Sequence, residues 1–93
     1  MTIRKDDRTK EQMKTHRWLV TATDKFMSGW GECQNGTSKC AWACKSEHLD
    51  KVFEWVSNRG EMKYVNVTDG SWYPKNAKHV HIYVVDDNHP SLN

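Results

Sequence analysis

One stretch of the chain, Ser46 to Arg59, carries the periodicity of a long helix, and the other patterned segments alternate as strands do. Leu49, Val52, Phe53 and Val56 fall at i, i+3, i+4 and i+7, the stripe that a helix buries against a sheet. Ser46 stands where a cap is wanted, Glu47 and Asp50 suit the positive end, and Gly60 follows at the place of a left-handed C-terminal cap. One helix cannot close a core alone, so strands must supply the rest.

Those strands are legible in the β-branched and aromatic runs Arg17 to Thr23, Met62 to Thr68 and His79 to Asp86. A hairpin is predicted between Trp30 to Gln34 and Thr37 to Cys44, because Asn35-Gly36 suits the positive φ angles of a tight turn. The expected class is α+β, a single helix packed on one face of a mostly antiparallel sheet of four to five strands. Thr37 to Thr68 forms a strand, helix, strand unit that crosses over right-handedly if its strands lie parallel. Residues 1–15 hold few apolar groups and read as a mobile, charged arm, residues 16–87 as one domain, and residues 88–93 as a loose tail.

With 93 residues, such a domain buries about 60 to 65% of its unfolded surface, so every large side chain counts. Five Trp, three Tyr and two Phe concentrate that burial. No long apolar run and no apolar signal core are present, which leads us to expect no membrane span, no secretion, and residence in the cytoplasm. Three cysteines make no disulfide framework and are expected as free thiols. A net charge of +2 argues against an acidic DNA mimic and against a binder that works by phosphate neutralisation alone.

Two aromatic loops are the first candidates for function. Asp24, Phe26, Met27 and Trp30 lie in a glycine-flanked loop, and Trp72 and Tyr73 in the Gly- and Pro-containing loop before the last strand. Exposed rings on loops are frequent protein-binding anchors, of which a single Trp can contribute more than about 2 kcal/mol, although in a small domain the same rings can plug an open core. The second candidate is a sheet face. If the helix packs on Val65, Val67, Val80, Ile82 and Val84, alternation sends Tyr64, Asn66, His79, His81 and Tyr83 to the other side. Tyr64, His81 and Tyr83 could stack bases there while Arg4, Lys5, Arg8 and Lys10 follow phosphates. The plainer alternatives are that the arm, or a second copy of the chain, covers this face.

Cys33, Cys40, Cys44 and His48 give a C-x6-C-x3-C-x3-H series without the tight pairs of a zinc site. On an extended strand Cys40 and Cys44 would stand about 13 Å apart, too far to share an ion. His79 and His81, with Asp86 or Asp87, form no better set, so no metal and no cofactor are expected. No phosphate loop, nucleophile elbow or H-E-x-x-H is present, and the chain is read as a binding protein, not an enzyme.

The stretch Ala22-Thr-Asp-Lys-Phe-Met-Ser-Gly-Trp-Gly31, followed by Arg59-Gly-Glu-Met-Lys-Tyr-Val65, resembles a group of small bacteriophage and prophage accessory proteins. The resemblance extends over about residues 17 to 85, and those two motifs are its specific part. It implies a bacterial cytoplasm during infection and supplies no catalytic residues. It also implies a host protein or protein complex as partner, with inhibition of a defence system, as anti-CRISPR proteins do, as the expected role. This implication comes from the class of protein alone.

Overall fold

The computed structural model describes residues 3–24, 37–70, 72, 74 and 77–92. In chain order these form β1 (Ile3–Asp6), a single-turn helix α1 (Gln12–Thr15), β2 (Trp18–Asp24), β3 (Thr37–Cys44), a 3-10 turn (Ser46–His48), α2 (Leu49–Ser57), β4 (Met62–Asp69), β5 (Ala77–Val84) and a 3-10 turn (Pro90–Leu92). The strands make one five-stranded sheet in the order β1-β5-β3-β2-β4. The class is α+β, as expected, with the long helix against one face of the sheet.

The sheet is mixed: β2 is antiparallel to both β3 and β4, and β5 is parallel to both β3 and β1. β3 and β4 are therefore parallel to each other, and α2 joins them across β2. Both strands flanking β2 run from the Asp24 end toward the Trp18 end, since Trp18 pairs with Cys44 on one side and Asp69 on the other.

β2 is buried on both faces, and two apolar clusters share it. On the helix side, Val20, Ala22, Cys40, Trp42, Cys44 and Met62 meet Val52 and Val56 of α2. On the opposite side, Leu19, Ala41, Ala43 and Ile82 are fully buried, with Trp72 packed against them. Asp69 and Ala77, which bracket the connection carrying Trp72, lie at opposite ends of the sheet, because Ala77 pairs with Thr37. Trp72 thus covers the face that the single helix cannot reach.

Several local expectations are corrected. Ile82 faces Trp72 and not the helix, whereas Tyr83 packs on the helix-side cluster; Trp42 and Tyr83 are partners in the register, and so are Ala41 and Ile82. The large rings gather where α2 gives depth, and small and aliphatic groups suit the thinner layer under Trp72. Val65 does pack on the helix side, but Val67, on the outermost strand, is 40% exposed. On α2, Trp55 turns inward and Phe53 outward, because Trp55 has a ring to meet, the edge of Trp42 at 5.8 Å. Ser46 lies inside the 3-10 turn and does not cap it; Lys45 precedes it in extended conformation with no side-chain cap bond. Among the described residues the left-handed φ values belong to Tyr64 (57°) and Gly70 (80°), not to Gly60. Gly70 needs that freedom, since its N–H turns back to the Arg17 carbonyl at 2.8 Å.

Both termini also differ from expectation. Residues 3–6 of the arm form β1 on the outer side of β5, fixed by side chains that make up for a polar sequence of low strand propensity. Arg8 clamps Asp6 through two nitrogens at 3.0 and 2.8 Å and donates to the His16 carbonyl, and its side chain is only 6% exposed. Arg4 donates to the Trp72 carbonyl at 2.8 Å. At the other end, Ser91 is buried and Leu92 packs on the helix-side cluster. Among the described residues, no helix is long and apolar enough to cross a membrane.

Candidate functional site

A row of rings crosses the helix side of the sheet. Alternation on β3 and β5 directs Trp42 and Tyr83 to the same face, where they stack with centroids 5.5 Å apart. Trp55 meets Trp42 edge-on, and His89 meets Trp55 edge-on at 4.9 Å. Arg59 lies over the Trp55 ring at 4.7 Å. At the far end His81 stacks on Tyr83 at 3.9 Å, and its Nε2 lies 2.9 Å from Asp7 Oδ2. The helix packs chiefly over β4, β2 and β3. Tyr83 and His81, half-buried on β5, form the flank beyond it.

The electrostatics of this flank are mixed in sign. Burial raises the Tyr83 hydroxyl above its ordinary pKa, and Cys40, Asp24 and Asp7 add to the rise while Arg59 opposes it. Burial likewise pushes the Cys40 thiol up to about 11, with Asp24 reinforcing and Arg59 and the Tyr83 hydroxyl opposing. Burial alone does the same for Cys44, to about 11. Thiols held protonated in this way are poor nucleophiles and poor metal ligands.

Of the expected protein-binding residues, Asp24 ends β2, near enough to Cys40 and Tyr83 for its charge to act on both. Trp72 is half-buried on the opposite face, its ring held by the second cluster. Phe26, Met27, Trp30 and Tyr73 lie outside the described residues.

Of the expected nucleic-acid residues, His81 and Tyr83 do come together, but on the helix side of the sheet. Tyr64 is 69% exposed on β4, separated from β5 by β2 and β3. Arg8 and Arg4 are held by Asp6 and Trp72, Lys5 is exposed as the β1 partner of His81, and Lys10 is exposed near α1. These residues make no single basic surface. Cys40 and Cys44 belong to the core, Cys33 lies outside the described residues, and among the described residues no three His, Cys, Asp or Glu side chains converge as metal ligands.

Sequence reasoning missed Trp42, Trp55, His89 and Arg59 as members of the row. The period-two spacing of Cys40, Trp42 and Cys44 was the available signal, but Ala41 and Ala43 are apolar too and hide it. It also missed an open cleft of about 340 Å³ between α2 and the C-terminal turn, lined by Lys51, Glu54, Trp55, Asn58, Pro90, Ser91 and Leu92. No family model, curated protein or solved structure matches this chain.

Proposed function

We propose that this is a non-enzymatic binding protein that docks on a host protein or protein complex. The docking surface is the β5 flank, His81 and Tyr83 with Asp24; from the sequence alone, Phe26, Met27 and Trp30, which follow Asp24 in the chain, are its further anchors. The observation that carries the reading is the ring row itself, whose outer members, Tyr83 and His81, lie beyond the helix at half burial. A preformed, stacked aromatic ledge with mixed charges suits a protein surface, since rings fixed by neighbours lose little freedom on binding. The phage resemblance makes bacterial defence complexes, CRISPR effectors among them, the first partners to test, and makes the bacterial cytoplasm the setting.

Nucleic-acid binding is the weaker reading, because Tyr64 stands strands away from His81 and the arginines of the arm are already engaged. The test is affinity capture from bacterial lysate with and without nuclease. A protein partner should persist after nuclease and be lost with Phe26→Ala/Trp30→Ala or with His81→Ala/Tyr83→Ala. Capture that disappears on nuclease treatment reverses the choice, and capture that survives both double variants removes the surface.

A further inference from the structure

Among the described residues four large apolar side chains stand exposed, Met13, Phe53, Tyr64 and Val67, and the last three gather at one edge of the sheet. There, among the described residues, β4 pairs with β2 alone. The phase of that ladder says which backbone groups are open. The Gly70 N–H bonds to the Arg17 carbonyl, and this pair continues the register Trp18↔Asp69, so Thr68 and Asn66 turn their amides and carbonyls toward β2. Val65, Val67 and Asp69 therefore present theirs outward. Val67 and Asp69 point to the helix side, as do their register partners Val20 and Trp18, and Val65 packs there too. Phe53 overhangs them: Lys51, Glu54, Trp55 and Asn58 line the cleft on one flank of α2, which leaves Asp50, Phe53 and Ser57 on the flank toward β4.

We propose that this edge pairs antiparallel with the same edge of a second copy of the chain. Centred on Asn66, the pairing sets Val65 opposite Val67 of the other copy, both outward-bonding positions, and brings the two Phe53 rings together on one side of the joined sheets.

Charge selects the same arrangement. Asp50 begins α2 at the Asp69 end of the edge, where Asp69 is already bridged by Arg17 at 2.6 Å. Lys63 stands at the Met62 end. Neither Asp50 nor Lys63 has an ion pair among the described residues. The edge is thus bipolar, and antiparallel pairing brings Lys63 of each copy, its flexible stem reaching round the edge, to Asp50 of the other. Parallel pairing would oppose like charges. The left-handed backbone at Tyr64, which would face Thr68 of the other copy, limits the regular paired run to Val65–Val67.

Sedimentation equilibrium of the full chain, from micromolar to submillimolar concentration, tests this. The chain should dimerise, Val67→Lys should be monomeric throughout with unchanged circular dichroism, and Lys63→Glu and Asp50→Lys should each weaken association several-fold. The double variant Lys63→Glu/Asp50→Lys should recover it, because only a self-paired edge is repaired by exchanging both signs within one chain. A monomer at every concentration, a Val67→Lys dimer as tight as the parent, or no recovery in the double variant overturns the proposal. The β5 flank stays free in this dimer, so the outcome is independent of the host-partner reading.

Discussion

His81 lies nearly parallel to Tyr83, their centroids 3.9 Å apart, and its Nε2 reaches Asp7 Oδ2 at 2.9 Å, so side chains as well as backbone fasten β1 to β5. Replacing His81 with Ala should cost about 1 kcal/mol. Hydrogen exchange should quicken at the amide of Asp7, which donates to the Ile82 carbonyl, while the amides of β2 and α2 keep their protection. Uniform loss of protection would show that β1 has no separate attachment.

The Asp6–Arg8 pair is the second fastening. Burial pushes the Asp6 carboxyl up, but the hydrogen bonds and charge of Arg8 outweigh it and hold the group below its ordinary 3.8. The unfolded chain takes up the proton first, so this contribution is present above that value and is lost as pH falls through and below it. Arg8→Ala should cost about 1.5 to 3 kcal/mol near neutrality. Acid unfolding curves of parent and variant should converge as pH falls; curves that stay parallel would contradict the assignment.

Cys40 and Cys44 should behave as inert core groups. Both thiols are pushed by burial from 9.0 to about 11, so between those values the unfolded chain loses protons that the folded one keeps, and stability falls as pH rises. In a Cys33→Ser background, a thiol reagent should react with the folded protein only as fast as it opens. Rapid stoichiometric labelling at neutral pH would mean that these residues are accessible.

Trp72 should act as a structural residue. Trp72→Ala strips the cover from Leu19, Ala41, Ala43 and Ile82 and should cost about 3 kcal/mol, read by urea denaturation. Loss of partner capture without loss of stability would return this ring to the binding surface.

The helix and β2 were legible because each pattern has one reading: a 3.6-residue stripe in one case, and a β-branched run ended by Asp24 in the other. The facing of β5 was not, since HVHIYVV offers apolar groups at both parities and only its pairing with Trp42 and Ala41 decides between them. β1 was invisible for a different reason. Ile3–Asp6 has no strand pattern of its own, and its conformation is imposed by the open side of β5, by the clamp from nearby Arg8, and by His81 and Trp72, both remote in sequence. Of the candidate site, the sequence named His81, Tyr83 and Asp24 but assigned the first two to the wrong face. That error follows from the same ambiguity.

The strand order carries a further consequence. β3, β2 and β4 are neighbours in the sheet, and with α2 they come from one continuous stretch of chain, residues 18–69, whereas β5 and β1 attach outside β3. The β3–β5 seam is therefore where that stretch meets the rest of the sheet, and Ile82, Tyr83, Val85 and Leu92 pack across it onto the two clusters. Tyr83, His81 and Asp7 sit on one side of that seam and Asp24 on the other, so a partner gripping both sides would hold it shut.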